Sequence, residues 1–596
     1  MIKSNPAALV RSSVLGILAF NLANLIFTIS HFASLGIWQV AIVATAFMSV
    51  GLLSAWWLLK PELASTQSWF RLRWSYLFIA VSWAFGLWLL SFVRHHISSR
   101  LYFPDFPLAS IDQGVAVHQD TVFNSSLIQS IMNFGYPSTA LNGTPFTSYH
   151  VLTHYFEALV YKVAGLDALE SAGLLFRVTA VATLTVVSAF AIKTIAKRNI
   201  AANLLTLAIL VPVLLSGWHV VYSQPLWLTT ILLILFSVVA YRNLTTPSPT
   251  AIQLALLGVM SLILALGKVS TGLVFFAVVF GILLLRNLKS ARIWLAAALS
   301  GLALLPYAIF IASDRSIGSS ESINQDVSAM ARIQEYLLSD HNWLAPLVAL
   351  FVVTALAKLV FRIPLGLQLL TVQSVLILGI LALVAIGQNS SDVYYFCQAA
   401  FYTCCLIVLL EFKEPYPDRS AGSAPFQIKR TWIAGFWVLA ALSTLAMESV
   451  PLSFFNLTPR TLGASVKAPF EPIPVISNAG FLASLKTELD AEMKQQGFSL
   501  GTTRLLISRE VFEAVAKTSK QPYWSLGMTI YAATSVPLQN GVTELHNYYG
   551  FSRYGAETLA LSQGSINPET LCSGSINVIE LKSVQPISLQ TICEAN

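Results

Sequence analysis

Long apolar runs recur along this sequence, and they constrain its fold more than any other feature. A run of about 17–25 apolar residues can cross a bilayer as an α-helix. The runs predict about 13 such spans, near residues 13–31, 36–58, 75–93, 172–193, 201–217, 225–241, 251–267, 271–286, 291–312, 343–361, 365–386, 394–411 and 431–449. The sequence therefore predicts an all-α polytopic membrane protein.

The charge content supports this class and excludes several others. Only 11% of the residues are charged and the mean hydropathy is +0.69, whereas soluble domains carry about 25% charged residues. Soluble, disordered, collagen-like and disulfide-scaffold proteins are excluded by these values. The net charge of +7 is small, and the basic residues lie between apolar runs, which indicates membrane topology rather than nucleic-acid binding.

The basic residues fall in alternate loops, which predicts the sidedness of the chain. Loops rich in lysine and arginine are usually cytoplasmic. By this rule the N-terminus, the loop with Lys60 and Arg73, and the loop with Arg286 and Arg292 are cytoplasmic. The first apolar run is predicted to stay as an uncleaved span. An odd number of spans then places the C-terminus on the opposite, outer side.

Two polar regions are predicted to lie on that outer side. Residues 94–150 form a long loop, and residues 450–596 form a region of domain size. In the second region, Phe481–Gln496 is predicted to be an amphipathic helix, whereas Arg504–Ser508 and Ile576–Leu581 resemble strands. The sequence thus predicts a transmembrane domain over residues 1–449 and a small α/β domain over 450–596.

A short amphipathic segment follows the long loop. Val151–Val163 ends at Gly165 and is too short to cross a bilayer. We expect it to lie at the membrane interface or to dip into it.

The five cysteines separate into two groups. Cys397, Cys404 and Cys405 lie within one apolar run and are predicted to be buried thiols. Cys572 and Cys593 lie in the polar C-terminal region, where an oxidising outer compartment would allow a disulfide between them.

Ionisable residues concentrate in and just after the first long outer loop. Charged groups at a membrane face are costly unless they are paired or functional, although a hydrophilic loop also contains such residues for solubility alone. The cluster comprises His95, His96, Asp105, Asp112, His118, Asp120, His150 and His154.

The segment from His118 to Asn124 is the most informative part of this cluster. Asp120 opens a helical pattern, so its carboxylate is expected to have a fixed direction, and an N-cap role is compatible with that position. Partial desolvation at a membrane interface would raise its pKa, which suits a general base that accepts a proton from an alcohol. Asp120 is the first candidate catalytic residue and Asp112 the second.

His150 and His154 are four residues apart and are expected to share a helix face. Such a pair could bind a divalent cation together with Asp120, or it could form a polar interfacial face that contacts phosphate. Since no further ligand signature is nearby, no metal site is predicted, and a divalent cation remains an alternative.

The order of these motifs resembles the GT-C superfamily of membrane glycosyltransferases, which includes the protein O-mannosyltransferases and the lipid A aminoarabinose transferases. The resemblance is carried by Asp120 in the first large outer loop, Gly135-Tyr-Pro137, Tyr149-His150, the amphipathic Tyr155–Gly165, the arginine-bearing span from Leu174-Leu-Phe-Arg177 to Ala196-Lys-Arg198, and Leu266-Gly-Lys-Val-Ser-Thr271. Two features depart from the family pattern. Two extra spans precede the acidic loop, and Asp120 is followed by Thr121 where many relatives have an acidic pair.

The resemblance implies an inverting transferase with a GT-C-like bundle in a bacterial cytoplasmic membrane. The donor would be a polyprenyl-phosphate-linked sugar, and the acceptor a lipid, glycan or protein on the outer face. Asp120 would deprotonate the acceptor hydroxyl. Lys268, at a turn between two spans, would contact the donor phosphate, unless it is only a snorkelling interfacial lysine. Further candidate substrate contacts are His118, Tyr149, His150, His154, Arg94 and Arg100.

Three other functions are compatible with parts of this pattern. A polysaccharide ligase or polymerase usually has its large outer loop late in the chain, whereas the loop here is early. A transporter would be expected to show charges within the spans and a repeated bundle. A non-catalytic subunit on a GT-C-like scaffold would tolerate a single carboxylate. The sequence shows no glycine-rich phosphate loop for a nucleotide donor.

Overall fold

The computed structural model describes about two thirds of the chain. The described ranges are residues 6–34, 38–64, 119–195, 226–316, 328–338, 344–361, 365–386, 390–411, 480–519, 523–539 and 576–593, with gaps at 142, 145 and 148 and a few single residues between ranges.

The described chain is mostly helical, with three strands near its C-terminal end. The helices are α1 (Pro6–Ser34), α2 (Trp38–Ala64), α3 (Gln119–Phe134), α4 (Leu152–Ala164), α5 (Ala168–Ile195), α6 (Trp227–Thr245), α7 (Ala251–Gly267), α8 (Val269–Arg286), α9 (Ala291–Ser316), α10 (Ala329–Leu338), α11 (Leu344–Phe361), α12 (Gly366–Ala385), α13 (Ser390–Glu411), α14 (Phe481–Gln496), α15 (Arg509–Ser519) and α16 (Tyr523–Thr534). The strands are β1 (Thr503–Ile507), β2 (Asn577–Val584) and β3 (Ile587–Cys593).

Many of these helices have the composition of membrane spans. Among the described residues, seven helices are long and apolar enough to cross a bilayer: they cover Val10–Ser30, Trp38–Pro61, Trp227–Thr245, Val269–Arg286, Ala291–Ile311, Gly366–Ala385 and Val393–Glu411. Three shorter apolar helices cover Val178–Thr194, Ala251–Gly267 and Leu344–Leu359. The predicted spans 201–217 and 431–449 lie outside the described residues, as does most of 75–93. The protein is therefore a helical membrane protein.

Helices α2 and α5 pack closely because a glycine allows their backbones to approach. A side chain at Gly51 would lie 2.8 Å from the Cα of Ala182, so only glycine fits this crossing. Small residues at such crossings are typical of helix pairs in membranes. Near the C-terminal end of α5, the buried Lys193 ammonium donates to the Leu58 carbonyl of α2 over 2.7 Å.

Helix α4 is short, as the sequence predicts, and its polarity is inverted relative to a helix in water. Its exposed face carries Tyr155, Leu159 and Val163, and Val163 is 82% exposed. Its buried face carries polar groups, including His154 and Glu157. The helix ends where Gly165 adopts the left-handed conformation at φ +67°. An apolar outer face of this kind is stable against lipid rather than against water.

The C-terminal elements form a small α/β unit, which agrees with the sequence prediction. The predicted helix Phe481–Gln496 is α14, and the two predicted strands correspond to β1 and β2. The sheet has the order β1-β2-β3, with β1 parallel to β2 and β2 antiparallel to β3. The predicted domain boundary after residue 449 lies outside the described residues.

This α/β unit shares one hydrophobic core with α3, the helix of the first polar loop. Val122 and Leu127 of α3 are buried in the same cluster as Leu505 and Phe512 of the C-terminal unit. Main-chain bonds add to this contact, since the Leu538 amide donates to the Ala140 carbonyl and the Gly143 amide donates to the Leu538 carbonyl. The C-terminal unit therefore packs directly on the segment that carries Asp120.

A salt bridge joins the same two regions at a second point. The Lys486 ammonium of α14 lies 3.0 Å from a carboxylate oxygen of Asp167, at the connection between α4 and α5. Asp167 also accepts a hydrogen bond from the Leu169 amide in the first turn of α5. Both partners are partly shielded from solvent, so this pair links the C-terminal unit to the membrane helices.

The cysteines agree with the sequence analysis where they are described. Cys397, Cys404 and Cys405 are buried free thiols of α13. Cys593, at the end of β3, is disulfide-bonded. Cys572 lies outside the described residues, so the Cys572–Cys593 pairing stays a prediction.

We predict that Leu127→Ala destabilises the C-terminal unit although Leu127 belongs to α3. Removal of a fully buried leucine side chain should lower the free energy of unfolding by about 2–5 kcal/mol, and residues 480–593 should become sensitive to protease at a lower temperature. The measurement is thermal proteolysis of the full chain in detergent. Leu159→Ala on the exposed face of α4 is the control, and equal effects of the two substitutions would contradict the shared core.

Candidate functional site

Asp120 lies in the first turn of α3, as the sequence pattern predicts. Its side chain is partly exposed, whereas Thr121 beside it is fully buried. Phe123 and Asn124 follow at the spacing of one helical turn, so they share a face of α3 with Asp120. The carboxyl group is thus held on a packed helix with a defined direction.

The environment of Asp120 makes its carboxyl group a weaker acid than usual. Burial raises its pKa from 3.8 to about 6, because a carboxylate loses hydration in this position. The positive charge of Lys268 acts in the opposite direction and lowers the pKa. Lys268 is therefore near enough to Asp120 for the two charges to interact, although they are 148 positions apart in the numbering.

Lys268 occupies the single residue between two apolar helices. Its amide closes α7 by donating to the Leu264 carbonyl, and its carbonyl accepts from the Gly272 amide to begin α8. The backbone between these bonds is extended, with φ −163° and ψ 118°. A side chain at Gly272 would lie only 2.5 Å from the Cα of Ala265, so this glycine permits the close pairing of α7 and α8.

The Lys268 side chain is held inside the protein rather than at its surface. The residue is only 6% exposed, which contradicts the snorkelling alternative, since a snorkelling ammonium group stays in water. The ammonium nitrogen lies 3.4 Å from the centre of the Tyr395 ring on α13. This cation–π contact holds a desolvated positive charge within the range at which it lowers the pKa of Asp120.

His154 lies deep in the protein beside Asn124. Its Nε2 and the Asn124 Oδ1 are 2.9 Å apart. Burial lowers the pKa of His154 to about 3, so the imidazole is neutral near pH 7. The other ring nitrogen, Nδ1, lies near the main chain of His150, but the geometry is not that of a hydrogen bond. A neutral histidine can position polar groups here but cannot neutralise a phosphate charge.

Tyr149 and His150 form an aromatic group against α3. Their rings are stacked with centroids 3.7 Å apart, and Tyr149 also meets Phe123 edge-on at 5.1 Å. Tyr149 contacts His154 at 5.7 Å. The structure therefore brings Tyr149, His150 and His154 together around the face of α3 that carries Asp120.

The expectation that His150 and His154 share a helix face is wrong. Helix α4 begins at Leu152, and His150 lies in the non-helical chain before it. His150 instead stacks on Tyr149, while His154 turns towards Asn124. Among the described residues, no group of three histidine, cysteine, aspartate or glutamate side chains is arranged to hold a metal ion.

A fully buried carboxyl group, that of Glu157, was missed in the sequence analysis. It is 1% exposed and accepts a hydrogen bond of 3.0 Å from the indole nitrogen of Trp227, the first residue of α6. The signal was available in the sequence, because His154, Glu157 and Tyr161 recur at helical spacing opposite the apolar Leu159 and Val163. This polar stripe predicts a buried polar face.

Contacts around Glu157 connect it to Lys268. Trp227 is the first residue of α6, and Thr229 follows two residues later. The Thr229 side chain packs on Gly267, where an added Cβ would lie 2.2 Å from the Thr229 hydroxyl oxygen. Gly267 immediately precedes Lys268. The start of α6 therefore helps to place the lysine.

Four other candidate residues lie outside the described residues: Arg94, Arg100, Asp112 and His118. Their predicted roles stay predictions.

Comparison of the chain with family models, curated proteins and solved structures gives no significant match. The GT-C membership implied by the sequence motifs therefore stays a prediction.

We predict that the Asp120 carboxyl group titrates near pH 6 and that Lys268→Met moves its midpoint higher. Loss of the lysine charge removes the interaction that lowers this pKa, while the burial that raises it remains. Infrared difference spectroscopy of the protein in detergent would follow the protonated carboxyl band, with Asp120→Asn identifying that band. An unchanged midpoint in Lys268→Met would contradict the pairing of the two residues.

Proposed function

We propose that this protein is an inverting glycosyltransferase of the GT-C type. It would transfer a sugar from a polyprenyl-phosphate donor to a lipid, glycan or protein acceptor. The observation that carries the proposal is the pairing of Asp120, whose pKa is about 6, with the buried Lys268. A general base for the attacking hydroxyl and a cation for the departing phosphate, both within one site, match what sugar transfer from a phosphate requires.

The chemistry assigns one role to each group. Asp120 is largely ionised near pH 7, because its pKa lies about one unit lower. Its carboxylate accepts the proton of the acceptor hydroxyl as that oxygen attacks the anomeric carbon. The bond between this carbon and the phosphate oxygen breaks on the opposite face, and the phosphate leaves with the electron pair. Attack and departure on opposite faces invert the configuration.

Lys268 serves the leaving group. Negative charge grows on the phosphate as the bond breaks, and a fixed cation in a desolvated position stabilises that charge strongly. The Tyr395 ring holds the ammonium group at 3.4 Å before the donor binds, so little reorganisation is needed. The same charge keeps the pKa of Asp120 from rising further, which favours the ionised base.

The location of the site favours a donor that is anchored in the membrane. Lys268 lies at the junction of two apolar helices, and the exposed face of α4 beside the site is apolar. A polyprenyl chain can remain in lipid beside these helices while its phosphate reaches Lys268. Tyr149 packs against Phe123 of α3 and is partly exposed, so an acceptor or the donor sugar can contact it, while the buried His150 and His154 support it from behind.

We predict that Asp120→Asn lowers sugar transfer by about 10²–10⁴-fold, the usual contribution of a general base. The amide keeps the size of the side chain but cannot take up the proton. Transfer from a polyprenyl-phosphate sugar would be measured in liposomes. Asp490→Asn, the same change at an exposed position of α14, should leave the rate unchanged.

Two results would contradict the assignment in different ways. Near wild-type transfer by Asp120→Asn would place the base elsewhere, with Asp112 the next residue to change. A wild-type protein that transfers sugar from no polyprenyl-phosphate donor would favour a non-catalytic membrane subunit.

The proposal includes a bacterial cytoplasmic membrane with the site on its outer face. The one-sided distribution of basic residues supports this orientation. We predict that a reporter enzyme that is active only outside the cytoplasm will be active when it is fused within residues 450–480. Activity of a reporter that works only in the cytoplasm, fused at the same position, would contradict the predicted orientation and the span count.

A further inference from the structure

Several buried polar side chains surround the start of α8, and they are not satisfied by the protein. Within the described part of the chain, the hydroxyl groups of Thr229, Ser270 and Thr271 and both polar atoms of the Gln398 amide have no hydrogen-bond partner. All four residues are at most 4% exposed. Unpaired polar groups in an apolar interior cost free energy, so native proteins normally pair them with protein, water or ligand.

Chain position and contacts place these side chains around Lys268. Ser270 and Thr271 lie in the first turn of α8, directly after Lys268. Thr229 packs on Gly267, on the other side of the lysine. On α13, Gln398 follows Tyr395 by three residues, about 4.5 Å along the helix, and Tyr395 contacts the Lys268 ammonium.

Lys268 and the starts of two helices bring positive charge to this region, near the carboxyl groups of Asp120 and Glu157. Two helices begin here, α6 at Trp227 and α8 at Val269, and neither has a side-chain N-cap hydrogen bond. The first amide groups of a helix point outward and carry partial positive charge, which makes a helix start an anion site. Lys268 adds a full positive charge, and hydroxyl groups supply further donors.

We propose that Thr229, Ser270, Thr271 and Gln398, together with the start of α8, form a buried oxyanion site that binds the phosphate monoester group of a membrane lipid. The unpaired hydroxyl and amide groups would donate to the phosphate oxygens. The surrounding apolar helices leave the ester chain in lipid. Phosphate binding at this site does not require the proposed function. Only the identification of the bound lipid as the sugar carrier rests on it.

The affinity of the full chain in detergent for a short-chain isoprenyl monophosphate, the probe, would be measured by calorimetry. The matching isoprenol, which lacks the phosphate, should bind at least about tenfold more weakly, and inorganic phosphate should compete with the probe. Isoprenol that binds as tightly as the monophosphate, without competition by inorganic phosphate, would overturn the site.

Variants then test the hydroxyl groups themselves. The double variant Ser270→Ala with Thr271→Val should bind the monophosphate about 10- to 100-fold more weakly, because hydrogen bonds to a charged group are lost. The ligand-free variant should melt no lower than the wild type, since the removed hydroxyl groups have no partner there. Thr183→Val is the matched control, because the buried Thr183 hydroxyl already donates to the Thr179 carbonyl. Unchanged affinity of the double variant would overturn the site.

The two proposals fail differently. Monophosphate binding that depends on Ser270 and Thr271, in a protein that transfers no sugar, would keep this site and remove the enzyme. Full transfer and full affinity in the double variant would keep the enzyme and remove this site.

Discussion

The interaction between one carboxyl group and one buried ammonium group is the constraint on which the rest of this structure depends. Asp120 and Lys268 come from distant parts of the chain, yet the lysine charge lowers the pKa of the aspartate. A buried lysine is costly unless a partner compensates for its lost hydration. The Tyr395 ring, 3.4 Å from the ammonium nitrogen, and the charge of Asp120 both provide part of that compensation.

A closed series of contacts holds the pair in place. Asp120 and Asn124 lie on one face of α3, and Asn124 bonds to His154 of α4. One turn further along α4, Glu157 bonds to Trp227 at the start of α6. The Thr229 side chain then packs on Gly267 beside Lys268. A disturbance in α4 or α6 should therefore reach the site without touching either charge.

The C-terminal unit belongs to this framework, because α3 packs on two sides. Val122 and Leu127 face the core that is shared with the C-terminal sheet and helices, and the Ser126 hydroxyl lies 3.2 Å from the Met528 carbonyl. Ile128 and Ile131 face the core of the membrane helices. The direction of the Asp120 side chain thus depends on the C-terminal unit as well as on the membrane helices.

Sequence reasoning succeeded where local pattern decides the outcome. The helix that begins near Asp120, the short α4 ended by Gly165, and α14 all follow from periodicity and helix-end signals. The same reasoning failed for His150. A four-residue spacing implies a shared face only if both residues are helical, and α4 begins two residues after His150. Tyr395 could not be assigned, since its contact with Lys268 depends on how distant helices pack, which spacing along the chain does not encode.

The most direct test of the account is a double-mutant cycle on sugar transfer with Asp120→Asn and Lys268→Met. If the two residues form one catalytic unit, the double variant should be hardly slower than the slower single variant, because each change already removes much of what the other contributes. Rate losses that simply multiply would show that the residues act independently and would contradict the central claim.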